Sequence, residues 1–542
     1  MTAIRSTCPK RAIPARALLR RRLAPVGLAR AGLALAGLAG ALSAAQAARA
    51  DTSSEAAASA LVDEVAGNAA RLRVVMQAMP KGGDLHNHLG GSVYAEDFLK
   101  VAAGRGMCAD EAISRIAPPP CPRERQVAVM AAEDPFTYAK LIDAISTRGF
   151  QKGIGPALTS GHSQFFSSFG KFSPAYRSEE PRWLADAYAS AGRNNLVYLE
   201  LMYNPEPLSR YMAAGAGEPP VEAGNLAAAY KRDLVAVEGL LDQTMADVSR
   251  NEAQARKRLA CGTPAADPGC GVAVRYLYSG MRGVAPAMAW RSLLAGFVLV
   301  HKDPRFVGVN IVMPEDDPVA LRDYDLHMAM FRFLEAKYPD VKVTMHAGEL
   351  ALGLVPPKDL ENHIAKAVDA GARRIGHGVD IAYETAAPET LARMAKDGIG
   401  VEINLTSNAV ILGVEGGNHP LQLYRSMGVP VMLSTDDEGV LRSDMSNEYV
   451  RAVTQQGLRY GDLKELARAS LEYSFAPGAS LWRARHLGDA VTPCQGGFSA
   501  PACKAFLAGS QKAGLQAQLE INFDQFEHSL DRFSIKPGAK GE

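Results

Sequence analysis

Eight short apolar runs recur between residues 82 and 435, at 84–88, 196–203, 272–278, 306–312, 341–346, 373–377, 400–404 and 430–435. Each has the length of a strand, and three end on a histidine. Between most of them lie longer stretches with apolar residues at helical spacing, among them 323–337, 358–370, 387–397 and 420–427. Apolar strands alternating with helices predict a parallel sheet covered on both faces. Eight such units favour closure, so the expected fold class is an α/β (β/α)8 TIM barrel rather than an open sheet.

The first two connections, about 92–195 and 206–270, are too long for simple crossovers and read as helical insertions. Helices are expected within them at 135–146, 182–191 and 222–259. After the last strand, 446–458 and 462–475 read as helices. A C-terminal extension from about 476 to 542 carries a further helix near 505–526 and a polar end from 536. No internal repeat or Pro/Ser-rich linker divides 51–542, which is expected to be one barrel domain with insertions.

Composition narrows the class. With 47% hydrophobic and 22% charged residues and a mean hydropathy of −0.07, the chain is neither disordered nor a coiled coil. The net charge of +1 hides an asymmetry, because residues 1–50 hold nine Lys/Arg and no Asp/Glu. The remaining residues then carry 50 bases against the chain's 58 acids, a balance of −8 that argues against nucleic-acid binding.

The basic start reads as an export signal. Arg5, Lys10, Arg11, Arg16 and Arg20 to Arg22 form a basic region, 31–44 is apolar, and Ala48-Arg49-Ala50 offers a cleavage site before Asp51. Ala45-Gln46-Ala47 is an alternative site. An uncleaved anchor is the competing reading, against which stands an apolar run shorter than a membrane span. Export implies a periplasmic or extracellular location with no membrane attachment after cleavage. Six cysteines beyond Cys8 fall as close pairs in Pro- or Gly-rich stretches, and disulfides Cys108–Cys121, Cys261–Cys270 and Cys494–Cys503 are expected. None has C-x-x-C spacing, which argues against a cysteine zinc site.

The chemistry gathers at strand ends. In Asp84-Leu85-His86-Asn87-His88-Leu89 the two histidines stand two apart on a strand and face one side. Met345-His346-Ala347-Gly348-Glu349, Arg374-Ile375-Gly376-His377-Gly378 and Ser434-Thr435-Asp436-Asp437 each end another apolar run. In a barrel all carboxyl ends open on one face, so these residues converge. Three histidines and an aspartate suit zinc.

Taken together, DLHNHL, MHAGEL, RIGHG and NHPLQLYRSMGVPVMLSTDDEGV resemble the adenosine deaminase family over roughly 80–475, in the family's order. Export, insertions and disulfides are similar to its secreted, growth-factor-related branch. The resemblance implies that His86, His88, His346 and Asp436 hold one zinc ion, and that His377 orients and helps deprotonate a water activated by it. Glu349 is implied to protonate the purine ring nitrogen beside the attacked carbon, and Asp437 to hydrogen-bond the imidazole nitrogen of the purine. Bland alternatives stay open: Asp437 as a partner that merely holds a histidine, Glu349 as a carboxylate favoured by a helix dipole. His419 and Ser407-Asn408 also match family positions and read as structural.

Departures bear on substrate. Gly90 stands where many members carry an acidic residue against the ribose. Met313 stands where a glycine usually presents its N–H to the purine. Glu438 replaces the usual proline, and Met202 an arginine. The expected reaction is hydrolytic deamination of adenosine or 2′-deoxyadenosine to inosine or 2′-deoxyinosine. A modified adenosine or other amino-purine is the alternative, as is a non-catalytic binding protein on the same scaffold. The expected partners are a purine nucleoside and, as an option, a second copy of the chain in a homodimer.

Overall fold

Eight strands stand where the apolar runs place them. They are β1 (Gly82–His88), β2 (Leu196–Met202), β3 (Ala273–Met281), β4 (Phe306–Val312), β5 (Thr344–Ala347), β6 (Arg374–His377), β7 (Gly400–Ile403) and β8 (Val431–Leu433). The computed structural model describes residues 53–150, 160–484 and 486–533. The export signal expected at 1–50 and the polar end from 536 lie outside the described residues. Strands β1 to β4 form one parallel sheet and β5 to β8 another, each in chain order. Two parallel bridges join the sheets, Asn87 with Asp436 and Val309 with Val343, and so close the barrel. All eight carboxyl ends therefore open on one mouth.

The barrel wall is apolar outward, where helices pack. The helix Pro286–Lys302 buries Trp290, Leu293 and Phe297 and lies against β3 and β4. Inside, the strands bury a charged layer. The Arg374 guanidinium reaches Glu402 and Glu200, each at 2.5 Å, and stacks 3.8 Å over the Phe475 ring. Buried charges persist only when paired and hydrogen-bonded. Here Thr344 donates to Glu402 at 2.8 Å, and Tyr198 and the Phe475 N–H donate to Glu200.

The first insertion holds helices Ala95–Gly104, Val127–Glu133, Pro135–Ala144, Gly161–Tyr176 and Glu180–Arg193 and a hairpin pairing Cys108–Ala109 with Ile116–Ala117. Three expected helices need correction. The helix expected at 222–259 is two, Leu226–Glu238 and Leu241–Arg258, parted at Gly239, a poor helix former. That at 505–526 is also two, Pro501–Ala508 and Gln511–Glu527, because the Ser510 side chain accepts from the Ala513 N–H and starts a new helix. The pair Pro356-Pro357 confines the helix expected at 358–370 to His363–Asp369 after a short turn Pro357–Leu360.

All three expected disulfides form, with Cα separations of 6.2 Å for Cys108–Cys121, 5.5 Å for Cys261–Cys270 and 4.5 Å for Cys494–Cys503. Each pins a loop at the barrel's periphery and suits a compartment outside the cytoplasm. Among the described residues no helix is long and apolar enough to cross a membrane.

Candidate metal centre and catalytic pocket

β1 carries His86 and His88 on one face, β5 carries His346, and Asp436 follows β8. One ligand atom from each lies within 4.8 Å of the others. His86 Nε2 stands 3.0 Å from His346 Nε2 and 3.5 Å from Asp436 Oδ1, and His88 Nε2 stands 3.2 Å from the same oxygen. Nitrogens each 2.0–2.1 Å from a tetrahedral ion are about 3.3 Å apart, and these spacings bracket that value.

Hydrogen bonds fix which nitrogen faces the cluster. His86 Nδ1 donates to Glu402 Oε2 at 2.6 Å, which leaves a lone pair on Nε2. Burial alone would raise the Glu402 carboxyl, but Arg374 and His86 hold it down at about 2, so it is an anion. Asn310 Oδ1 accepts from the N–H groups of Ile311 (2.7 Å) and His346 (3.0 Å), and is thereby identified as the oxygen. It also faces His346 Nδ1 at 3.0 Å, so His346 too keeps its proton on Nδ1. With neutral rings two lone pairs would confront each other at 3.0 Å, while, against its burial, Asp436 and Glu402 favour a positive charge at His86 and raise it to about 10; the His88 Nε2 has no hydrogen-bond partner. A single cation satisfies all three nitrogens at once. The donor set fits a zinc ion.

Glu349 and Asp437 are buried at the edge of this cluster. Burial, with Asp436 and Glu315 nearby, pushes the Glu349 carboxyl well above the usual range. Burial, with Asp436 and Glu349 nearby, does the same to Asp437. Both shifts favour the protonated form, and Asp437 Oδ1 has no partner within the protein. Ring nitrogens of an amino-purine are acceptors, so only protonated carboxyls can hydrogen-bond to them. Gly91 makes room for Asp437, since a Cβ there would stand 1.5 Å from its Oδ1.

The loop carrying Glu349 is held by Glu315, which accepts from the N–H groups of Glu349 (2.9 Å) and Gly348 (3.2 Å) and from His363 Nδ1 (2.7 Å). Burial would raise Glu315, but Arg282 and His363 bring it to about 2, so its charge persists beside Glu349.

His377 is oriented by a chain of hydrogen bonds. The Leu421 N–H donates to His419 Nδ1 at 3.1 Å, so His419 donates from Nε2 to Asn408 Oδ1 at 3.0 Å. Asn408 Nδ2 in turn donates to His377 Nδ1 at 3.0 Å. Burial brings His377 down to about 3, so the ring is neutral, and its Nε2 stands 4.0 Å from Asp436 Oδ2. The ring thus faces the cluster from Nε2.

His88, His346, Glu349, His377, Asp436 and Asp437 face a pocket of about 440 Å³ walled by Phe165, Phe166, Phe169, Val312 and Met313. The volume suits a nucleoside, and the apolar wall suits a heteroaromatic ring. Met313, His377 and Asp436 all hold left-handed backbones, with φ of 89°, 69° and 58°. Such conformations are strained for residues with side chains and cluster at functional sites. Gly90 lies outside this pocket, on the wall of a neighbouring cavity.

Residues 176–490 match the family model described as adenosine deaminase. The chain belongs to the adenosine deaminase family. Similar family members include an adenine deaminase of Sinorhizobium medicae, 28% identical over 40% of this chain and 62% of that protein. An adenosine deaminase of Aliivibrio fischeri is 35% identical over 26% and 40%. An N6-methyl-AMP deaminase of Danio rerio is 29% identical over 39% and 57%. The matched segments thus span between 40% and 62% of these relatives' lengths. In fold, the chain is similar to an Arabidopsis ADAL complexed with IMP (TM-score 0.51, 18% identity, covering 84% of this chain and 98% of that one). It is likewise similar to an amidohydrolase from Burkholderia ambifaria with bound Zn (TM-score 0.50, 18% identity, 85% and 94%).

For this member of the adenosine deaminase family, the motif residues His86, His88, His346, Glu349, His377, Asp436 and Asp437 all converge. Five residues around them carry no motif signal that assigns a role: Glu402, Asn310, Glu315, Arg282 and His363. His419 and Asn408, expected to be structural, orient His377.

Proposed function

We propose that the chain is an exported zinc-dependent deaminase of an adenosine-type purine nucleoside, with residues 51–542 as its catalytic domain. The observation that carries this reading is the convergence of His86, His88, His346 and Asp436 beside the buried carboxyls of Glu349 and Asp437 in a purine-sized slot. His86, His88, His346 and Asp436 would hold a single zinc ion, which supplies the Lewis acidity that makes a nucleophile available from water near neutral pH.

The chain's own groups do the rest. The apolar wall takes the purine ring and excludes water. Glu349 gives its proton to the ring nitrogen beside the amino-bearing carbon, so that the ring accepts electrons as that carbon is attacked. Asp437 donates to a nitrogen of the five-membered ring and fixes the ring's angle. His377 orients the attacking water and helps take its proton as the oxygen adds. One proton of the added water passes to the amino group, which leaves as ammonia, the other restores Glu349, and the amino-purine becomes an oxo-purine. Loss of the amino-purine absorbance on incubation with adenosine, abolished by a chelator and restored by zinc, tests the reading. Absence of turnover with adenosine, 2′-deoxyadenosine, adenine and 5′-substituted adenosines would remove it.

A second reading changes the substrate and keeps the chemistry. Gly90 and Met313 favour it, since both stand where family members commonly have residues of different size.

A further inference from the structure

The catalytic pocket is the first of three adjoining cavities. It shares His88, Phe169 and Val312 with a cavity of about 340 Å³. That cavity shares Tyr176, Asn204 and Ser209 with a third, of about 820 Å³. The row runs outward from His88 along residues of both insertions. Gly90 and Gly91 stand on the wall of the middle cavity. A Cβ at Gly90 would meet nothing nearer than the Tyr176 ring at 3.8 Å, so the missing side chain leaves this passage wide.

A nucleoside alone is accommodated by the inner 440 Å³. The outer space is surplus to it. With the amino-bearing carbon at the metal cluster, the nitrogen that carries the sugar points away from the reacting atoms. An arm on the 5′ carbon is thus the part that can lengthen without disturbing the chemistry.

The character of the lining changes along the row. The inner pocket is aromatic and aliphatic, whereas the outermost cavity is charged. It is lined by Arg177, Arg210 and Arg250 and by Glu180, Glu206 and Asp247. Two of the cations are already matched, Arg210 to Glu206 at 2.6 Å and Arg250 to Asp247. A lone phosphate would meet a carboxylate for each guanidinium. An arm carrying both an ammonium and a carboxylate meets partners for both.

Resting on the deaminase reading, we propose that the two outer cavities form a subsite for a zwitterionic arm on the 5′ carbon. The preferred substrate is then an adenosine joined at that carbon to an amino acid. The reaction is unchanged: water replaces the amino group, ammonia leaves, and the arm takes no part.

The test measures kcat/KM of the purified full chain, supplied with zinc, for adenosine, adenosine 5′-monophosphate and S-adenosylhomocysteine. The subsite predicts at least a tenfold preference for S-adenosylhomocysteine over both others. Ser209→Trp, which fills the shared wall of the outer cavities, should lower the ratio of S-adenosylhomocysteine to adenosine at least tenfold. Because both substrates are read on one protein, a folding defect does not mimic that change. Adenosine turned over as well as S-adenosylhomocysteine, or an unchanged ratio in Ser209→Trp, overturns the subsite and leaves the deaminase standing. Preference for the monophosphate overturns the zwitterionic arm in favour of an anionic one. No turnover of any of the three overturns the subsite and counts against the deaminase reading as well.

Discussion

The Asp436 N–H donates to the His86 carbonyl at 2.8 Å, and the His88 N–H returns a bond to the Asp436 carbonyl at 3.3 Å. Backbone bonds that close the barrel between β1 and β8 are thus made by residues of the candidate metal cluster. Asp84 reinforces this seam by accepting from the Thr435 hydroxyl at 2.5 Å and the His86 N–H at 3.2 Å. A ligand bound only by the folded seam stabilises it by mass action. Chelation should therefore lower Tm, on the order of 3 °C for zinc present at about a hundred times its Kd. Calorimetry with and without a chelator checks this; an unchanged Tm would separate the seam from the metal.

Glu349→Gln keeps the shape and removes the transferable proton. The expected result is a loss of about 10²–10⁴ in kcat with zinc content retained. Steady-state kinetics and metal analysis on one sample decide it, and a wild-type rate would end the acid assignment.

The pH profile has a definite sign. Glu349 acts in its protonated form, and the neighbouring charges of Asp436 and Glu315 help to raise it. Activity should fall as pH rises through that elevated value. Glu315→Gln removes one of the charges, so Glu349 should release its proton at lower pH and the alkaline fall should move down. An alkaline limb that stays put or moves up in Glu315→Gln assigns it to another group.

How much of this was legible in the sequence follows from distance along the chain. His86 and His88 share a strand, and strand geometry turns their spacing into a shared face. The ends of β5, β6 and β8 could be matched to the same mouth because parallel strands put every carboxyl end on one side. Glu402, by contrast, holds His86 from 316 positions away, and Glu315 holds the Glu349 N–H from 34. Nothing local marks either residue, since a lone acidic residue in an apolar strand (Glu402) or in the loop after one (Glu315) looks the same whether it supports the site or pairs with an arginine. The helix expected at 222–259 was misread for a related reason. Its apolar periodicity runs through Gly239, and a single glycine inside a helical pattern marks a break only weakly.

His419 orients His377 through Asn408 without touching the pocket. His419→Ala should lower kcat about tenfold while KM and zinc content hold. His419→Gln, whose amide still donates toward Asn408, should recover part of the loss. Equal losses in both variants, or loss of zinc, would make the role merely structural.

Met313 lines the pocket with a left-handed backbone. Met313→Gly relieves strain of about 1 kcal/mol and widens the entrance. Tm should hold or rise slightly and KM for adenosine should change, whereas a large drop in Tm would show that the side chain's packing outweighs the strain.

The central claim is that His86, His88, His346 and Asp436 bind one divalent ion between them, and metal analysis of the purified protein tests it most directly. Wild type should carry one zinc per chain, with His346→Ala and Asp436→Ala each folded, as judged by circular dichroism, and nearly metal-free. Stoichiometric zinc in either folded variant, or its absence from a wild-type enzyme that turns over, would contradict the account.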